Sequence, residues 1–98
     1  MIVKMTIDLE RGFIPWKEMF IKNEYRLNEH GGRLVFAGTE KENDNKLTVI
    51  MEFDSPEALQ NFSGDEELAQ IRASSGAKLE TAIAKIMSSD SFTKTWNF

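Results

Sequence analysis

Residues 52–73, EFDSPEALQNFSGDEELAQIRA, write a helix start twice in one short segment. Asp54 or Ser55 can accept a hydrogen bond from a free first-turn amide. Pro56 fits the first turn because it lacks only an N–H that would have no helical partner there. Glu57 complements the helix dipole, and Ala58, Leu59 and Phe62 supply an apolar side. Gly64 ends this piece. Asp65, Glu66 and Glu67 then place three carboxylates at a new N-terminus ahead of Leu68, Ile71 and Arg72. Two short helices, not one rod, must connect the elements on either side.

Those elements are strands. In IVKMTIDL, Val3, Met5, Ile7 and Leu9 alternate with Lys4, Thr6 and Asp8, the period of a half-buried strand. ERGF breaks it, and Pro15 is compatible with a helix's first turn. From Trp16 to Glu29 the spacing is helical, with Trp16, Met19, Phe20, Asn23 and Leu27 near one face. HGG ends that helix, with Gly31 suited to a left-handed cap. RLVFAGTE and KLTVIMEF are two further strands. They are joined by KENDN, whose Asn and Asp tolerate the positive φ of a tight reversal. Leu47, Val49, Met51 and Phe53 form one face of the later strand, and Gly38 in the earlier one signals a bulge or a close approach. SSGAK reads as a loop, ETAIAKIM as a last strand, and 89–98 as a tail carrying Phe92, Trp96 and Phe98.

The order β-α-β-β-(broken α)-β predicts an α+β, ferredoxin-like sandwich, a single domain over 1–98 with a four-stranded antiparallel sheet and helices on one face. Two short helices follow a twisted sheet better than one straight one. The other face carries Ile2, Val35, Ala37 and Ile50 among Lys4, Thr6, Thr48 and Glu52. Four adjacent strands would expose these as one patch, so the chain is expected to pair with itself through the open sheet face. A chain of 98 residues has a modest core, which adds to the advantage of pairing.

Charge narrows the partners. Of the net −4, the residues through Val49 contribute nothing, with eight basic and eight acidic side chains; the rest hold four against eight. An acidic second half suits neither nucleic acid nor an anionic membrane, both of which need a basic face. No cysteine is present, which removes disulfide and thiolate chemistry. MIVKMTIDLE is too short and too charged for a signal peptide, and a cytoplasmic protein is expected.

Residues that carry reactions are scarce. His30, the one histidine, sits at a helix C-terminus, where an imidazolium complements the dipole; a general acid/base role or haem ligation is the alternative. One His and no Cys leave no side-chain set for a transition metal, and neither GGR nor AGTE has the spacing of a phosphate loop. No cofactor is expected. Apolar bulk remains: seven Phe, two Trp and five Met. Trp16, Phe20, Phe36, Met51, Phe53 and Phe62 are expected to project between helices and sheet, either filling the core or lining a pocket. Ala82 and Ala84 would leave room there, and Asn23 and Tyr25 would supply polar groups. Such a pocket suits an acyl chain, as in a fatty acid, or an aromatic metabolite.

The strand–helix–hairpin–broken helix–strand order, with EFDSPEALQNFSGDEELAQIR after the third strand, resembles the dimeric α+β barrel superfamily, most of all its small uncharacterised bacterial members. The resemblance implies paired sheets and a ligand cavity between the sheet and helices of each protomer. That superfamily includes cofactor-independent monooxygenases and haem-degrading enzymes as well as members without known activity. No monooxygenase catalytic set matches position by position, since Asn23 and Trp16 lie in no such motif. The expected function is therefore dimeric small-molecule binding. The alternative is a small cofactor-independent monooxygenase or isomerase in the same cavity, assisted by His30, Tyr25 or Asn23.

Overall fold

A computed structural model describes residues 1–94. Strand β1 (Ile2–Leu9) leads into helix α1 (Phe13–Glu29). The hairpin β2 (Gly32–Glu40) and β3 (Asn43–Phe53) comes next, then α2 (Pro56–Ser63), α3 (Glu66–Ser74) and β4 (Ala77–Ile86). The sheet order is β2-β3-β1-β4 and every pairing is antiparallel, which is the ferredoxin-like arrangement. No helix among the described residues is long and apolar enough to cross a membrane.

The alternation in β1 and β3 sets the core. Register pairs Val3 with Met51, Met5 with Val49 and Ile7 with Leu47, so three apolar cross-strand pairs point at the helices. All six are buried, and Trp16 and Leu27 of α1, Ala58 of α2 and Leu68 of α3 close over them. Phe53 is fully buried, and Gly32 beside it has no room for a side chain: a Cβ there would lie 2.5 Å from Leu27 Cδ1 and 2.7 Å from Phe53 Cε1.

The break between α2 and α3 obeys the capping chemistry. Of the two candidates, Ser55 is the cap of α2, its Oγ accepting from the Ala58 amide at 3.1 Å. Asp54 pairs instead with Arg33 at 3.0 Å. Asp65 caps α3, accepting from the Leu68 amide at 3.0 Å. Gly31 takes φ 81°, closing α1 in the left-handed region.

Three expectations need correction. First, β2 is bulged between Leu34 and Phe36, and the extra residue reverses the parity of the rest of the strand. Phe36 lies opposite Ile50 on the open face, 53% exposed, and is not between helices and sheet. Ala37 moves to the core side opposite Val49, while Val35 is the bulged residue itself. The approach signalled by Gly38 is that same Phe36 ring, whose Cζ would lie 3.0 Å from a Cβ at position 38.

Second, no residue other than glycine has positive φ among the described residues, so Asn43, Asp44 and Asn45 are not the turn. The turn is Lys41-Glu42, and the three polar residues begin β3. There they serve α1, which has no side-chain cap of its own: Asn45 Oδ1 accepts from the Gly12 amide at 2.8 Å and Asp44 Oδ2 from the Phe13 amide at 3.2 Å. Third, β4 begins at Ala77 and absorbs part of the expected loop. A register shift opposite Ile7 accommodates this, with Thr81 Oγ1 accepting from the Asp8 amide at 2.9 Å. Phe92 is exposed; Trp96 and Phe98 of the tail lie outside the described residues.

Candidate functional site

The spacing Trp16, Met19, Phe20, Asn23 puts four side chains on the sheet-facing stripe of α1. Trp16 and Phe20 stack at 5.3 Å with their planes 18° apart. Across from them stand Met5, Val49 and Met51 of the sheet, with Phe62, Leu68 and Arg72 at the side. Together they enclose an apolar void of about 30 Å³. That is room for about one water, not for a ligand. Met19 and Asn23 also border an open crevice between α1 and α3, so they stand between the void and solvent. Asn23 donates its side-chain N–H to the Met19 carbonyl at 2.8 Å, leaving its amide oxygen as the acceptor it can offer.

A second space lies on the other side of Phe62 and Arg72. It is a groove of about 270 Å³ between α2 and α3 above and β1 and β4 below, with Leu59, Ala69, Leu79, Ala82 and Ala84 in its walls. Phe62, Arg72, Met5 and Met51 border both spaces and together form the partition between them. The Arg72 guanidinium lies 5.6 Å from the Phe62 ring centre, and its Nη2 is 3.7 Å from Met5 Sδ. Burial lowers the Arg72 pKa, because the apolar surroundings disfavour its charge.

The sequence-predicted residues divide accordingly. Trp16, Phe20, Asn23, Met51 and Phe62 meet around the inner void, and Ala84 lines the groove. Phe53 borders neither space and packs against Phe62 at 5.5 Å as core. Phe36 is on the opposite sheet face, and Tyr25 is 57% exposed on the outer side of α1. His30 is also absent from both linings. Its Nε2 is 2.9 Å from Asp65 Oδ2, joining the end of α1 to the start of α3. Arg72 is the residue that sequence reasoning missed. A basic residue in a helix's last turn is ordinarily explained by the dipole, and nothing in the pattern showed that it turns inward.

Among the described residues, no group of three or more His, Cys, Asp or Glu side chains could hold a metal ion. No protein-family model and no curated protein matches the sequence. Solved structures do match the fold. A protein of Agrobacterium tumefaciens aligns with a TM-score of 0.62 and 20% identity over 90% of this chain and 92% of its own. A proposed antibiotic biosynthesis monooxygenase from Deinococcus radiodurans aligns at 0.56 and 8% identity, over 97% and 100%. A dimeric ferredoxin-like protein from an uncultured marine organism aligns at 0.52 and 18% identity, over 95% and 98%. The chain shares its ferredoxin-like fold with these structures. At these identities the likeness concerns the fold alone.

Proposed function

We propose that the chain acts as a homodimer that binds a small apolar molecule between its sheet and helices. The observation that carries the binding half is the 270 Å³ groove, apolar over most of its wall and sharing Met5, Met51, Phe62 and Arg72 with the inner void. Its volume approaches the lower end of ligand sites, about 300 Å³. An acyl chain or a flat aromatic molecule of modest size fits that description.

Dimerisation is supported by the sheet face that no helix covers. Ile2, Phe36, Ile50 and Ile83 share it, with Phe36 and Ile83 more than half exposed. A fold neighbour described as dimeric supports the same reading. A second copy is the occupant we favour, because a self-complementary sheet face gives a closed two-fold pair.

The Deinococcus radiodurans neighbour favours a second reading, a cofactor-free oxygenase in the same place. Such chemistry needs a base beside the substrate. Among the described residues, the linings of the void and the groove hold no carboxylate and no imidazole, which puts binding first.

Native mass spectrometry of the purified protein tests both halves, reporting subunit number and any retained ligand together. Thermal unfolding then tests the groove: a fatty acid or flat aromatic compound should raise the melting temperature in proportion to the logarithm of its concentration. Ala84→Leu should fold and lose that response. Ala84 is exposed, so a leucine there fills the groove without overpacking the core. A parent protein that no such compound stabilises would count against the groove as a binding site.

A further inference from the structure

We propose that Arg72 anchors the carboxylate of an apolar acid bound in the groove beneath α2 and α3. This inference rests on the groove being a binding site and specifies what it takes.

Four arginines occur in the sequence. Three have carboxylate partners: Arg11 with Glu10, Arg26 with Asp65 and Glu67, and Arg33 with Glu52 and Asp54. Arg72 has none among the described residues. It is also the arginine that points inward, against an aromatic face and a thioether. Neither partner carries a negative charge, and the half-buried guanidinium keeps N–H donors free for a ligand in the groove.

Among the described residues, Arg72 is also the only charged side chain bordering either the groove or the inner void. An apolar enclosure with one fixed cation and no acid selects an amphipathic anion: the apolar part fills the groove and the anion meets the guanidinium. A carboxylate matches the planar guanidinium through two parallel hydrogen bonds. The Ser63 hydroxyl, in the same lining, can donate a further one. Ala69, Ala82 and Ala84 keep the walls apart for the rest of the molecule. A medium-chain fatty acid or an arylalkanoic acid has this shape and charge.

The test compares octanoate, 1-octanol and octylamine on the full-length protein by calorimetry and thermal unfolding. Octanoate should bind about tenfold or more tighter than octanol, the equivalent of one charge-assisted hydrogen bond, and octylamine should not bind. Arg72→Met keeps the bulk and removes the charge. It should bring octanoate down to the affinity of octanol while leaving the melting temperature of the free protein close to the parent's, because the half-buried cation has no carboxylate partner to lose. Arg72→Lys should retain a reduced preference for the acid. If octanol binds the parent as tightly as octanoate, the groove stands as an apolar site and the assignment of Arg72 falls. If none of the three binds the parent, the groove reading falls and takes the assignment with it. Should Arg72→Met fail to fold, the octanoate-to-octanol ratio of the parent still decides, since it requires no variant.

Discussion

Arg26 on α1 reaches Asp65 across the break between α2 and α3, its Nη2 lying 3.1 and 3.2 Å from the two carboxylate oxygens. The break is thus more than a way of tracking the twisted sheet. It presents a capping carboxylate to the end of α1, where Arg26 and His30 both meet it. One uninterrupted helix would have no N-cap residue at that place.

This arrangement sets a pH dependence. The His30 contact, the Leu68 amide and Arg26 together hold the Asp65 carboxyl at about 2, below its ordinary 3.8, with burial opposing them. A carboxyl lowered in the folded state contributes stability that is present above its ordinary value and lost as pH falls through about 2. Asp65→Asn should lower the urea midpoint near neutral pH and flatten the loss of stability on acidification. Parent and variant with parallel acid limbs would assign the acid sensitivity to other carboxylates.

The open sheet face gives a second expectation, sharpened by the bulge in β2. Phe36 sits opposite Ile50 on that face, so if the proposed dimer forms there, Phe36→Lys with Ile50→Lys should convert it to monomer in sedimentation. Val35→Lys alone should have the smaller effect, because Val35 is the bulged residue and is unpaired in the register. A double variant that sediments as the parent dimer would move the interface elsewhere.

Gly38→Ala probes the same surface from beneath. A Cβ there would stand 3.0 Å from Phe36 Cζ, so the ring must shift. The atom met is the far end of a half-exposed ring, so the substitution should cost the parent little and be better tolerated in Phe36→Leu, with a coupling of about 0.5 kcal/mol in a double-mutant cycle from urea unfolding. Strictly additive effects would mean that the ring is not held by Gly38.

These residues also show what the sequence could and could not convey. The faces of β1 and β3 were legible because an uninterrupted period of two leaves one solution once a side is buried. The helix break was legible because capping is local chemistry. The parity of β2 was not: a bulge adds one residue without requiring proline or glycine, and Gly38, the visible signal, marks where the ring lands three positions beyond the inserted Val35. Half of the candidate site was legible through the helical spacing of Trp16, Phe20 and Asn23. Arg72 was not, because which way a last-turn arginine bends is decided by the neighbours it meets in three dimensions.

The start of α1 provides the last expectation, and it tests a long-range role for residues whose composition suggests only a turn. Gly12 precedes the helix with φ 78° and has no side chain to cap it; its Cβ position is taken by the Asp44 carboxylate. The first amides are instead satisfied by β3, Gly12 N–H by Asn45 and Phe13 N–H by Asp44. Losing a helix-capping acceptor typically costs about 0.5–2 kcal/mol, and Asn45→Ala should fall in that range by urea unfolding. Amide exchange at Gly12 should accelerate in the same variant, since its acceptor is gone. Asn45→Asp, which keeps an oxygen in place, should restore much of both. Lys41→Ala in the turn proper is the control and should be nearly neutral, as an exposed residue in the two-residue connection. If Asn45→Ala unfolds at the parent's urea concentration with unchanged exchange at Gly12, the cap is supplied by solvent and the polar run at the start of β3 has another purpose.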